Sequence, residues 1–327
     1  MGTHFAETSF VRGLLPNAIL AVTLTGAIWT PLCLAQPQGR DWQSAAGGRM
    51  TFDAASVKGN TTAPASARSS SFPLGPGDVY VPNAGRFRAM NFPLVAYIEF
   101  AYKLTEDQNQ FLLPQLPKWV TADRFDIQAS VQGNPTKDQM RLMMQSLLAD
   151  RFKLAVHYET RQIPVYALLL DIPGKLGPLL QQHADDSPCA TTPWVPSPPP
   201  TAPAQPLDTR FPGPCGGILN MPPSVTGRVR VGARDVTMDL IANSMPGTED
   251  EVDRPVLDRT GLTGRFDFAI EFTPKLDGRS DAGSNSRTDS TVPNFLQALK
   301  EQLGLKLEPQ MGAMDVFVID YVEQPLN

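Results

Sequence analysis

The chain carries the same order of short motifs twice, and this repetition constrains its fold more than any other feature. Arg124-Phe125-Asp126-Ile127 in the first half has a counterpart in Arg265-Phe266-Asp267-Phe268. Two further pairs keep the same order, RFRA at 86–89 with RVGA at 230–233, and SLLADRFKLAV from 146 with ALKEQLGLKLE from 298. The spacing drifts from about 141 to 153 residues. A fixed order with drifting spacing indicates an old duplication with loop insertions, since array repeats recur at one short period.

Each half has the residue pattern of a β-α-β-α-β-β unit. Apolar residues at helical spacing predict a helix over 94–102 and another over 136–149. In the second half, Pro293 and Gly304 suit the start and end of a helix over 293–303. Apolar runs after these helices predict a closing hairpin in each half. The expected class is therefore α+β, with two duplicated units whose helices pack on mainly antiparallel sheets.

The N-terminal residues have the pattern of a signal peptide. An apolar stretch from Leu14 to Leu34 follows a basic start and ends at Cys33-Leu34-Ala35, which suits signal-peptidase cleavage. The alternative is an uncleaved membrane anchor, because the stretch is close to spanning length. No later segment is long and apolar enough to span, so we expect an exported, periplasmic or extracellular protein with no membrane span after cleavage.

Cleavage leaves Cys189 and Cys215 as the only cysteines. In an oxidising compartment two cysteines most simply pair, so we predict a disulfide that closes a Pro-rich segment. Two unrelated free thiols are the alternative. A zinc site is poorly supported, because four ligands are needed and His183 is the only histidine nearby.

The predicted organisation follows from these signals and has five parts. They are a signal peptide (1–35), an N-terminal strand and flexible loop (36–84), a first repeat (85–172), a Pro-rich disulfide-closed linker (173–226) and a second repeat (227–327). Two other features indicate little about function. One is Trp194 in the linker, and the other is Asp277-Gly278-Arg279-Ser280-Asp281 within the polar insertion at 274–291, which resembles a calcium loop only loosely.

No motif identifies a reaction. His157 alternates onto the outer face of a strand, and His183 lies in the linker, so neither is a convincing base. Asp126 and Asp267 could form a carboxylate pair if the halves face each other. The simpler interpretation places Phe125 and Phe266 in the core, with the charged neighbours on the solvated face. We therefore assign no catalytic, cofactor-binding or metal-binding residue, and expect no cofactor.

Charge excludes one class of partner. The net charge is −5 and no long Lys/Arg run is present, whereas a nucleic-acid-binding protein normally shows a basic stripe. An unknown protein or a small molecule remains as the partner, because a groove between two related halves is a common type of ligand site.

Four segments together resemble a known family. They are PKWVTADRFDIQA, LLADRFKLAVHYETRQIPVYALLL, PVLDRTGLTGRFDFAIEFTP and LQALKEQLGLKLEPQMGAMDVFVIDYVEQP. This combination is similar to the soil-associated family of secreted acidobacterial proteins, a domain of unknown function. The resemblance spans roughly Thr51 to Pro325 and implies export, but it supplies no catalytic residue. The leading hypothesis is an exported, non-catalytic binding or interaction module. The alternatives are an exported hydrolase that uses carboxylates and a structural protein of the cell envelope.

Overall fold

A computed structural model describes residues 41–64, 66–185, 189, 210–245, 252–274 and 293–325. All of them belong to one compact unit, Pro37–Asn327. The predicted signal peptide, Trp194 with most of the linker, and the polar run from 275 to 291 lie outside the described residues. Within the described ranges, no helix is long and apolar enough to cross a membrane.

Helices and mainly antiparallel strands are both present, which confirms the α+β class. The helices are α1 Asp41–Ala45, α2 Leu94–Tyr102, α3 Glu106–Leu112, α4 Lys118–Ala122, α5 Lys137–Arg151, α6 Met238–Asn243 and α7 Phe295–Ala298, with a 3-10 turn at Leu113–Gln115 and a π-helical turn at Leu299–Leu303. The strands are β1 Ala54–Gly59, β2 Ser69–Ser70, β3 Arg86–Pro93, β4 Arg124–Ser130, β5 Ala155–Leu170, β6 Leu180–Gln182, β7 Gly217–Met221, β8 Val229–Val236, β9 Val256–Asp258, β10 Phe266–Phe272 and β11 Leu305–Tyr321.

Local sequence explains where the main helices begin and end. Thr136 caps α5 through a capping box, in which its hydroxyl accepts from the Gln139 N–H and the Gln139 side chain accepts from the Thr136 N–H. The π-helical turn ends at Gly304, whose φ of 69° is left-handed. The predicted helices over 136–149 and 293–303 are confirmed within two residues. Each one directly precedes one of the two longest strands.

The two halves form four-stranded sheets with the same arrangement. The first sheet has the order β1-β4-β3-β2 and the second has the order β6-β10-β8-β7. All neighbouring pairs in both sheets are antiparallel. β1 and β6 therefore occupy the same place, as do β2 and β7. These four strands lie at 54–70 and 180–221, within the segments that the sequence suggested as an N-terminal strand with its loop and as a linker.

The predicted closing hairpins are wrong. β5 is one continuous strand of 16 residues and β11 one of 17, and the two pair antiparallel over nearly their whole length, from Leu170↔Leu305 to Ala155↔Tyr321. β9 extends this ribbon by pairing parallel to β5. Polar residues near the middle of each strand suggested turns. In the structure these residues belong to the continuous ribbon, in the part that runs from one half to the other. Each half therefore ends in one long strand that pairs with the other half.

The ribbon contributes to both hydrophobic cores. The first core contains most of the buried residues of the first half together with Phe317 from the far end of β11. The second core contains those of the second half together with Leu168 from the far end of β5. Each long strand thus leaves its own half and completes the core of the other.

Two buried basic side chains hold the loop between β2 and β3. The Arg141 side chain, with no exposed surface, donates to the carbonyls of Pro76 (2.9 Å) and Gly77 (2.8 Å). Lys137 also reaches the Gly77 carbonyl, and burial, followed by the charge of Arg141, lowers its pKa to about 6. Asp78, next in the chain, has a lowered pKa because Lys103, Arg141 and Arg265 outweigh its burial. The α5 helix thereby anchors this loop.

Candidate functional site

The Arg-Phe-Asp signature of the first half closes a β-bulge. The register between β3 and β4 shifts between Ala89 and Phe92, so that two residues of β3 oppose Asp126. Asn91 in the bulge is left-handed (φ 63°), and its N–H donates to Oδ1 of Asp126 at 2.8 Å. Nη1 of Arg124 donates to the Asn91 carbonyl at 3.2 Å. The side chains of Arg124 and Asp126 thus bind the backbone carbonyl and the backbone N–H of the bulge residue Asn91.

The second half repeats this geometry. The register between β8 and β10 shifts opposite Asp267, and Asp235 is left-handed (φ 56°). The N–H of Asp235 donates to Oδ1 of Asp267 at 3.0 Å, and Nε of Arg265 donates to the Asp235 carbonyl at 3.1 Å. Asn and Asp tolerate left-handed backbone better than most residues, which suits them to this position.

These bulges explain the repeated motif without a reaction. Phe125 and Phe266 are buried, as alternation predicts. Asp267 was expected on the solvated face but is only 2% exposed, because it faces the bulge. Each carboxylate is occupied within its own sheet, so the predicted carboxylate pair is not formed by these contacts.

A third residue joins each bulge from the neighbouring strand. Nδ2 of Asn60 donates to Oδ1 of Asp126 at 2.9 Å, and the Asn60 N–H donates to the Arg124 carbonyl. In the second half, Nδ1 of His183 lies 2.6 Å from Oδ1 of Asp267, and the His183 N–H donates to the Arg265 carbonyl. Asn60 and His183 are therefore equivalent. Sequence comparison missed this because the spacing from β1 to β4 differs from that between β6 and β10.

The predicted disulfide between Cys189 and Cys215 is present, with its Cα atoms 5.4 Å apart. It lies beside the second bulge. Ligand-type atoms of His183, Cys189, Cys215 and Asp235 all lie within 4.8 Å of one another. The sequence identified His183 and the cysteines as neighbours, but it did not indicate Asp235, which arrives from β8.

A cleft of about 380 Å³ opens between the two halves. Its first-half lining includes Trp42 of α1, Tyr102 at the end of α2 and Tyr158 of β5. Its second-half lining includes Asp239 of α6 and Asp315 of β11. The remaining lining residues are Asp41, Pro76, Lys103, Thr105, Gln108, Thr237, Leu240, Asn243 and Met314. Aromatic rings thus come from one half and two carboxylates from the other.

The two tyrosine rings of the cleft are held by packing, and Lys103 already has a carboxylate partner. Tyr102 and Tyr158 both contact Phe317, at ring distances of 4.8 and 5.3 Å. Burial raises the pKa of Tyr102 to about 12, so its phenol stays neutral at ordinary pH. Nζ of Lys103 lies 3.0 Å from Asp78 and 5.8 Å from the Trp42 ring centroid.

The carboxylates of the cleft differ in their surroundings. Asp315 is buried and accepts a hydrogen bond from the Thr160 hydroxyl at 2.6 Å. Asp239 is exposed to the cleft, and desolvation, together with the charge of Asp258, raises its pKa. Asp239 thus takes up a proton more readily than a solvated carboxylate, and in its ionised form it presents a negative charge to the cleft.

Two more hydrogen bonds join the halves near the cleft. The Asp78 N–H donates to the Gly216 carbonyl at 2.5 Å. The Val256 N–H donates to Oδ2 of Asp107, a fully buried carboxylate whose pKa burial raises to about 7. The cleft walls are therefore connected through backbone groups.

His157, the other histidine considered above, lies on the exposed part of the ribbon. Its ring nitrogens contact Asp320 (2.8 Å) and Glu159 (3.2 Å), and these hydrogen bonds raise its pKa. This position is the surface-facing strand site that the alternation predicts. It has no neighbouring nucleophile among these contacts.

Comparison with known proteins places the chain in a family. No curated protein and no solved structure is significantly similar to it. The family described as "Protein of unknown function (DUF3738)" matches residues 95–322, which include nearly all of α2, the strand β4 with Asp126, the second bulge, the disulfide and the ribbon. Because the match covers most of the 327 residues, the chain belongs to the DUF3738 family.

Proposed function

We propose that the protein is an exported binding module that takes a small organic ammonium ligand into the cleft between its halves. The observation that carries this proposal is the lining of the cleft, in which Trp42, Tyr102 and Tyr158 face a space bordered by Asp239 and Asp315. Aromatic faces and carboxylates are the two groups that bind alkylammonium ions in proteins.

The charges of the cleft favour a cation over an anion. Asp41, Asp239 and Asp315 line it, against one lysine. Lys103 is close to two carboxylates outside this set, Asp78 at 3.0 Å and Asp138 at 3.6 Å. An incoming anion would have to compete with both of them. A cation instead meets the carboxylates and the two tyrosine rings directly, and at Trp42 it takes the place of Lys103.

Isothermal titration with choline and with its uncharged isostere 3,3-dimethylbutanol tests the charge requirement. We expect choline, or another member of a panel of primary to quaternary ammonium compounds, to bind, and the isostere to bind at least tenfold more weakly. A panel with no binder, or equal binding of the charged and uncharged compounds, contradicts the ammonium proposal.

Two variants locate the binding. Asp239→Asn removes a carboxylate from α6 without changing its size, and Trp42→Ala removes a ring from α1. Each should weaken ammonium binding about tenfold or more, since a desolvated cation–π contact contributes about 2 kcal/mol. Asp150→Asn is the matched control, because Asp150 is 70% exposed and does not line the cleft. Equal losses in all three variants would place the binding elsewhere.

Export and duplication are parts of the same proposal. Export is supported by the apolar segment that ends at Ala35. Mass spectrometry of exported protein should find Gln36 at or near the N-terminus, and an intact Met1 contradicts cleavage. Duplication is supported by the shared strand order and by the matched bulges. Superposition of the two halves should pair α5 with the helix that precedes Gly304, and different connectivity around these helices contradicts it.

A further inference from the structure

We propose that, when the Cys189–Cys215 disulfide is reduced, the second bulge becomes a zinc site. The ligands are Nε2 of His183, the two cysteine thiolates and a carboxylate oxygen of Asp235. Ligand-type atoms of these four residues already lie within 4.8 Å of one another. Zinc takes four ligands in a tetrahedron at about 2.0–2.3 Å, so bound ligand atoms lie about 3.3–3.8 Å apart. Binding one ion therefore requires the two sulfur atoms to separate and the most distant ligand atoms to approach by about 1 Å.

The histidine is already oriented as zinc ligands are. A carboxylate oxygen accepts, so the 2.6 Å contact with Asp267 places the ring proton of His183 on Nδ1. This leaves the Nε2 lone pair for a metal. Asp267 is 2% and His183 9% exposed, so the pair is held in a dry setting. Histidines that bind metals almost always donate their other ring N–H to a carboxylate or carbonyl.

Comparison of the halves shows that the bulge itself does not require these ligands. The first bulge has Asn60 where the second has His183, and Asn91 where the second has Asp235. The two asparagines make the same hydrogen bonds to a carboxylate. The only cysteines after position 33 lie beside the second bulge. Four metal-binding residues are thus added to a framework that forms without them.

Charge and access also suit a divalent cation. Two thiolates and one carboxylate carry three negative charges, which Zn²⁺ and the neighbouring Arg265 together balance. Arg265 donates to the Asp235 side chain and carbonyl, so it can hold one carboxylate oxygen while the other binds metal. Cys189 is exposed, which admits both a reductant and the metal.

The chemistry is balanced by a dithiol reductant. The dithiol transfers two electrons and two protons to the cystine, which becomes two thiols while the reductant becomes its own disulfide. Zn²⁺ then displaces the two thiol protons to solvent as the two Zn–S bonds form. Oxidation reverses the sequence and releases the metal, so disulfide and zinc are alternative states of one site.

Cobalt spectroscopy on the full chain tests the site. Co²⁺ titrated into protein reduced with a phosphine should give the visible d–d bands of tetrahedral cobalt and a near-ultraviolet sulfur-to-cobalt band, at one ion per chain. Zn²⁺ should displace it. The oxidised protein should give neither band. Absence of tetrahedral bands in the reduced protein overturns the proposal.

The first half supplies the matched variants. His183→Asn and Asp235→Asn introduce the residues found at the equivalent positions of the first bulge, so both proteins should fold, as circular dichroism will show. Each should bind Co²⁺ at least about tenfold more weakly than the wild type, with altered d–d bands. Asp253→Asn, at an exposed position outside the cluster, should bind normally. If the first two variants bind like the wild type, only the cysteines hold the metal and the proposed site is wrong.

Discussion

Removal of the buried carboxylate of the second bulge should destabilise the protein by about 3 kcal/mol. In Asp267→Ala, the Asp235 N–H and the His183 Nδ1–H both lose their acceptor. A buried donor left without a partner costs about 1–3 kcal/mol, so two such donors give about 2–6 kcal/mol. The lower half of this range applies because His183 retains 9% exposure and can turn its ring toward water.

The matched change in the first half should be milder. Asp126→Ala also removes the acceptor of two donors, the Asn91 N–H and the Asn60 amide. Asp126 is partly exposed, however, so water can replace part of what is lost, and we expect about 2 kcal/mol. Asp267→Asn keeps an acceptor oxygen for the Asp235 N–H and should cost about 1 kcal/mol.

Urea unfolding followed by far-ultraviolet circular dichroism measures these differences. Asp150→Ala is the control, and a surface change of this kind should stay within about 0.5 kcal/mol of the wild type. The reasoning is refuted if Asp267→Ala falls in the same range as this control. It is also refuted if Asp267→Asn is as damaging as Asp267→Ala, because the retained oxygen would then have no effect.

Three further changes probe other parts of the fold. Burial lowers the Lys137 pKa to about 6, so the unfolded state binds more protons than the folded state between pH 6 and 10. The free energy of unfolding should therefore rise with pH in this range. Urea titrations of Lys137→Met should lack that rise. Reduction of the disulfide, which spans 26 residues, should lower stability by roughly 3–4 kcal/mol while the circular dichroism spectrum of the folded state is retained; an unchanged urea midpoint would contradict this. Gly85→Ala places a Cβ 1.9 Å from the Val131 carbonyl oxygen. This change should lower the melting temperature more than Gly174→Ala, because Gly174 has a similar φ but open space around it. Equal decreases in melting temperature would mean that backbone strain alone is responsible.

Short-range patterns predicted α2, α5 and the helix that ends before Gly304, but they did not predict α1, α3 or α4. The residues at Thr136 and Gly304 are local signals, so the sequence indicates where α5 begins and where the helix before β11 ends. The ribbon could not be predicted in the same way. The residues around Glu159 and Gln310 are polar because they lie between the two hydrophobic cores. In a sequence, polar residues that interrupt an apolar run indicate a turn.

The candidate sites likewise combine features that the sequence predicts with features that depend on how the strands pair. The disulfide follows from a count of cysteines, and the repeated Arg-Phe-Asp motif is visible by eye. Its role is not visible, because Asn91 and Asp126 meet only through the register of β3 on β4. Asp235 joins the cysteines for a similar reason, since β8 brings it beside a residue that lies 20 positions earlier in the chain, Cys215. The cleft depends on how two halves meet, and no single segment encodes it.

The ribbon of β5 and β11 couples the folding and the unfolding of the two halves. The first core lacks Phe317 until the last long strand exists, so the first half cannot complete its packing during synthesis before the second half is nearly finished. Neither half is an independent domain in the folding sense, and heat should melt both in one calorimetric transition. A chain cut between Asp185 and Arg210, with its disulfide reduced, should give two fragments that are incompletely folded apart and regain structure when mixed, since each carries a strand that the other needs.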